Sequence, residues 1–137
     1  QEFEKERDET FVGFCVMGGI FSEGIDLKED RLIGVVIVGT GLPMVCTEQE
    51  LLKGYFEKTN QKGFDYAYQY PGMNKVMQAA GRVIRTMEDE GIILLLDDRF
   101  LKREYQELFP REWWPHQIVN RGNVGKAIRD FWKERKR

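Results

Sequence analysis

Apolar residues along the chain form three short runs separated by stretches of helical spacing. Residues 11–17, FVGFCVM, predict a short buried strand ended by Gly18-Gly19. Residues 32–38, LIGVVIV, are apolar on both faces and rich in Val and Ile, which predicts a central strand of a parallel sheet covered by helices. The third run, 92–96, follows the stretch that organises the chain. There Pro71-Gly72 marks a turn, residues 73–88 carry helical spacing, Gly91 interrupts it, and the apolar run stops at Asp97, Asp98 and Arg99. A helix feeding a buried strand is expected. At 3.6 residues per turn, Gln78, Arg82 and Arg85 share one face, while Val76, Ala80, Val83 and Met87 form an apolar stripe on another.

The remaining segments fill in around this unit. Thr47 with Glu50 three positions later predicts a capped helix start, and Leu51, Leu52, Tyr55 and Phe56 predict its apolar face. Phe64, Tyr66, Tyr68 and Tyr70 alternate as in a half-buried extended segment; stacking on nucleic-acid bases is the second reading of the same pattern. Residues 101–109 read as a helix turning Leu101, Tyr105, Leu108 and Phe109 inward. Pro110 and Pro115 bracket an aromatic turn with Trp113 and Trp114, and 122–132 is a last helix. A charged lead-in, 1–10, precedes the domain at 11–137, and the basic end 133–137 is explained by solvation and fraying. Strands alternating with helices give an α/β fold. Three parallel strands are few for such a fold, so an incomplete fragment is expected.

With 137 residues, 42% hydrophobic and 32% charged, the chain has the size of one domain and a composition that argues against disorder. A net charge of −2 speaks against a polyelectrolyte tether, though a local basic patch remains compatible with nucleic acid. Cys15 and Cys46 form no CxxC pair, and His116 is the single histidine, so buried reduced thiols are expected and neither an iron–sulfur cluster nor a His-rich metal centre can be assembled. No run approaches 18 apolar residues and no signal-peptide pattern opens the chain, which leads us to expect a cytoplasmic or otherwise intracellular protein away from membranes.

Two places carry candidate chemistry. Arg82 and Arg85 have the rigid donor fork suited to phosphate oxygens, and Ala79, Ala80 and Gly81 put three small residues together where Gly costs roughly 1 kcal/mol relative to Ala, so close approach of a backbone or ligand is expected. A solvated surface is the plainer reading of the same polar face. In the loop 18–26, Glu23 and Asp26 suit a hard cation or general acid and base work, and Gly18, Gly19 and Gly24 suit backbone amides near phosphate. The loop has no GxxxxGK[ST] pattern, and a structured turn with Asp26 capping a short helix is the alternative.

The stretch GGIFSEGID at 18–26 resembles motif V, and QAAGRVIR at 78–85 resembles motif VI, of superfamily 2 DNA helicases of the XPD/DinG-like branch. GVVIVGTGLP at 34–43, YQYPGM at 68–73 and LLLDDRF at 94–100 extend the likeness in family order over about 11–115. The resemblance implies a RecA-like second helicase domain of the P-loop NTPase type, three-layered with a mostly parallel sheet. It implies that Arg82 and Arg85 face ATP held by the N-terminal motor domain of the same protein, with Gln78 on that surface. Glu23, Gly24, Asp26 and Gly81 would couple the nucleotide to the DNA side, and Ser22 and Gly19 would contact the single-stranded DNA being translocated 5′ to 3′. ATP and Mg²⁺ would be bound mainly by the first motor domain, leaving the 137 residues alone without ATPase activity. A motor-like domain of a DinG-type exonuclease, and a non-catalytic interaction module, are the alternative functions. Bacterial origin is also expected from the resemblance.

Overall fold

The computed structural model describes residues 9–19, 32–84 and 88–135. Ser22, Glu23, Gly24, Asp26, Arg85 and Met87, singled out above, lie outside them. The chain divides into two compact units, Gln1–Glu107 and Leu108–Arg137.

In the first unit, strand β1 (Gly34–Val38) and strand β2 (Ile92–Leu96) pair in parallel, with Gly34 opposite Ile92 and Val38 opposite Leu96. Parallel neighbours require a crossover, and it is supplied by helix α1 (Thr47–Asn60), a π-helical turn (Asp65–Gln69) and helix α2 (Tyr70–Ala80). The α/β fold with a parallel sheet is thus present as a two-stranded core. Helix α2 packs against β1, and along that strand Ile37 is buried and Val35 half-buried. The core is completed by Met73, Val76, Ala80 and Val83 from α2 and the turn after it, by Ala67 and Tyr68 from the π turn, and by Phe100 and Tyr105 beyond β2. The apolar stripe expected on the helix is therefore the buried one through Val83.

Two strand expectations need correction. Residues 11–16 form no strand and lie outside the ladder of the described residues, with Phe14 97% exposed. Strand formation needs a partner edge as well as apolar residues, and among the described residues β1 and β2 pair with each other alone. Nor is β1 covered on both faces, since Val36 and Val38 are exposed along with Leu96 of β2. Cys15 is exposed rather than buried, and Cys46 is half-buried; both are free thiols.

Helix α1 begins at Thr47 but its N-cap is Cys46, and no side chain caps it. Glu50 does not reach back to the helix start. It accepts a 2.6 Å hydrogen bond from Tyr68 Oη, a charge-assisted contact that pushes the tyrosine pKa up to about 12. Leu51, Leu52 and Tyr55 are exposed instead of forming a buried face, and Phe56 stacks on Tyr66 with ring centroids 4.3 Å apart.

The aromatic segment is helical, not extended. Its alternation of Phe64, Tyr66, Tyr68 and Tyr70 resolves into two pairs four residues apart, Phe64 with Tyr68 and Tyr66 with Tyr70, each with rings in contact. Pro71 marks no turn either. Lacking an N–H, it cannot bond to the carbonyl four residues back, and the chain meets it by widening to a π turn in which Tyr70 N–H donates to Asp65 O. Gly72 then rests on the loop after β1, where a Cβ would come within 2.5 Å of Thr40 O. That contact fixes the approach of α2 to the sheet.

After β2 a 3₁₀ turn (Asp98–Leu101) leads into helix α3 (Arg103–Gln106), so the helix expected over 101–109 is shorter and Leu101 is exposed. Gln69 Nε2 donates to Glu104 O at 3.1 Å, tying α3 to the π turn. In the second unit, a 3₁₀ turn (Arg111–Trp113) and a cis Trp114-Pro115 bond shape the aromatic turn, with Phe109 against Trp113 and His116. Helix α4 (Val124–Arg135) closes the chain. Among the described residues no helix is long and apolar enough to cross a membrane.

Candidate nucleotide and nucleic-acid interface

The carboxyl ends of β1 and β2 are joined beyond the ladder by Gly39 N–H, which donates to Leu96 O at 3.1 Å. In open α/β folds this edge is where ligands bind. After β1 the loop Gly39-Thr40-Gly41 turns sharply, both glycines having positive φ (84° and 63°), a region open to glycine and disfavoured for other residues. Thr40 between them is buried, and its Oγ1 has no hydrogen-bond partner among the described residues.

After β2 the polar residues are engaged with each other. Asp97 Oδ1 accepts from Arg99 N–H at 2.9 Å and from Arg99 Nε at 2.8 Å, and Asp97 Oδ2 accepts from Arg99 Nη2 at 2.8 Å. The guanidinium fork holds the Asp97 carboxyl down at about 2, and the same pairing raises the Arg99 pKa. Asp97 and Arg99 therefore form a clamp that shapes the turn leading to Phe100 and Tyr105. Asp98 is the exposed acid of the trio.

Helix α2 carries Gln78 on its exposed side and stops at Ala80. Beyond it the bonding tightens from four residues to three: Gly81 N–H donates to Met77 O at 2.8 Å, Arg82 N–H to Ala79 O at 3.3 Å and Val83 N–H to Ala80 O at 3.0 Å. Gly81 is thus at the helix end, exposed, and among the described residues a Cβ there would meet the carbonyls of its own last turn. Arg82 is half-buried on the turn that ends α2, while Arg85 lies outside the described residues. Of the expected common face, Gln78 stands on the helix and Arg82 on the turn that follows it.

Gly19 closes a turn, its N–H donating to Val16 O at 3.0 Å. This turn sits against the sheet edge: Met17 Sδ and Cε lie 3.3 Å from the Cβ position of Gly41, and the Lys75 side chain lies 3.9 Å from that of Gly18. Three segments, 17–19, 39–41 and 72–75, therefore meet at the carboxyl end of β1. Thr40 and Lys75 were not singled out by sequence reasoning; the readable signal was that Lys75 stands one turn before Gln78. Among the described residues no group of three or more His, Cys, Asp and Glu could hold a metal ion. The guanidinium of Arg82 and the amide of Gln78 are donors suited to polyphosphate oxygens rather than to a cation.

Comparison with known proteins decides what this edge belongs to. The description "helicase C-terminal domain" matches residues 1–117. The chain belongs to the helicase C-terminal domain family. It is a domain of the superfamily 2 DNA-helicase type. A regulator of telomere elongation helicase 1 homolog from Caenorhabditis elegans is 30% identical over 133 residues, covering 88% of this chain and 13% of the relative. The ATP-dependent DNA helicase chl1 of Schizosaccharomyces pombe is 32% identical over 126 residues, with 86% and 15% covered. The ATP-dependent DNA helicase YoaA of Haemophilus influenzae is 34% identical over 112 residues, with 80% and 17% covered. The chain thus spans under one fifth of the length of each of these helicase relatives.

Proposed function

We propose that this helicase C-terminal domain is the second motor domain of an XPD/DinG-like ATP-dependent DNA helicase that moves 5′ to 3′ on single-stranded DNA. The observation that carries the reading is the end of α2: the QAAGRVIR stretch runs from exposed Gln78 to half-buried Arg82 on a turn braced by three backbone hydrogen bonds. The backbone bonds of the turn fix where the Arg82 side chain leaves the main chain, and a guanidinium is the donor geometry that matches phosphoryl oxygens.

In this reading ATP sits on the N-terminal motor domain, with Mg²⁺ neutralising its phosphates. Arg82 and Arg85 reach it when the two domains close, and stabilise the charge that builds on the transferred phosphoryl group. Gln78 holds the same surface. Glu23, Gly24, Asp26 and Gly81 pass the closure to the DNA side, where Ser22 and Gly19 contact the strand. Hydrolysis is then possible only in the closed arrangement, which is how turnover becomes movement. The test is ATP turnover by the full-length protein with Arg82→Ala and Arg85→Ala made separately. At least one is expected to lose about 10³–10⁵ in kcat with nucleotide affinity little changed, because the contact is made in the transition state. Unchanged turnover in both would refute the reading.

A further inference from the structure

We infer that Lys75 is a phosphate anchor at the carboxyl end of β1, an additional binding residue of the same interface; the inference rests on the motor reading above. Lys75 is half-buried on α2, one turn after Gly72 and one turn before Gln78. Its stem lies over Gly18, with Cδ and Cε each 3.9 Å from where a Cβ would stand, and Gly18 has φ 84°. Without a side chain at Gly18, the lysine lies along the turn that closes with Gly19 N–H on Val16 O. Lys75 makes no ion pair among the described residues, whereas Lys53, Arg99 and Arg103 each have a carboxylate partner.

A second observation points to the same place. The buried Thr40 Oγ1 has no partner among the described residues, and Thr40 belongs to the loop on which Gly72 rests and against which Met17 packs through Gly41. A half-buried lysine whose stem packs over a turn of glycine backbone, on the helix that rests on the Thr40 loop, is suited to an oxyanion. A phosphate fits: three ammonium donors can be shared with its oxygens, and phosphate contacts of this kind position a strand without reading its sequence. The phosphate belongs either to the backbone of single-stranded DNA or to the nucleotide, and the two sources separate by experiment.

The full-length protein is compared with Lys75→Met, which keeps an apolar stem and removes the charge, and Lys75→Arg, which keeps the charge. Oligo-dT affinity is measured without nucleotide across a salt series, and the affinity of a non-hydrolysable ATP analogue is measured without DNA. Lys75→Met is expected to weaken one of them roughly tenfold at an unchanged melting temperature, with Lys75→Arg restoring it. If the source is DNA, the slope of log K against log salt falls in magnitude by about 0.7. If the source is the nucleotide, only the analogue weakens. Unchanged affinity in both arms overturns the inference, as does a loss accompanied by a lower melting temperature that Lys75→Arg does not restore. The motor reading survives that failure so long as Arg82→Ala or Arg85→Ala still removes turnover.

Discussion

At the scale of single residues, the Asp97 and Arg99 pair has the most directly testable energetics. The Asp97 pKa is depressed from 3.8 to about 2 by the Arg99 guanidinium, so the carboxylate favours the folded state above the ordinary carboxyl range. That contribution is full above pH 3.8 and is lost as the pH falls toward 2. Arg99 is 37% exposed, so solvent screens part of the attraction. Asp97→Asn should lower thermal stability at neutral pH, and the difference from wild type should shrink on acidification through this window, measured by melting at a series of pH values. A difference that stays constant to pH 2 would mean that the charge is irrelevant. Arg82 and Lys75 belong to this scale too, but their readouts are turnover and affinity rather than stability.

At the scale of elements, the contact between Gly72 and the loop after β1 governs how α2 meets the sheet. Gly72→Ala places a methyl group 2.5 Å from a backbone carbonyl, which cannot swing aside as a side chain can. A destabilisation of about 1–3 kcal/mol is expected, read as a lower melting temperature or denaturant midpoint. Periodicity made both paired strands and the buried stripe Val76, Ala80 and Val83 legible, because those residues answer to local spacing and burial together. It misread Phe64 to Tyr70, since period-two alternation of aromatics and two interleaved pairs four apart produce the same string. It also misread residues 11–16, where the apolar pattern was sound but a ladder needs a second edge that composition does not supply. The Gly72 contact was illegible for a related reason: a proline–glycine pair reads as a turn unless the opposing loop is known. At the candidate site, Gln78 and Arg82 are singled out by the motif they stand in. Lys75 gained meaning only from Gly18, 57 positions earlier in the chain.

At the scale of the molecule, the described residues leave apolar surface open on the sheet at Val36, Val38 and Leu96 and along 11–16. The 137 residues therefore should bind a hydrophobic dye as an isolated polypeptide and associate at raised concentration, checked by dye fluorescence and light scattering. They should also hydrolyse no ATP, with or without DNA, because the proposed role of Arg82 and Arg85 is to complete a site rather than to form one. DNA-stimulated hydrolysis by the purified polypeptide would contradict that role. A catalytic contribution of this kind is a property of closure between domains, and the large effect expected in full-length protein has no counterpart in the part alone.

The π turn ahead of Pro71 has a consequence for the rotational phase of the site. One residue more than an α-helix would use is spent between Asp65 and Tyr70, and each helical residue corresponds to roughly 100° of rotation about the axis. The turn thus works as a phase adjuster: within it Tyr66 and Tyr68 are set by their contacts with Phe56 and Glu50 of α1, and downstream of it Lys75 and Gln78 are aimed independently of them. Removing a single residue there would leave the amino acids of both halves intact while rotating one functional face away from the other.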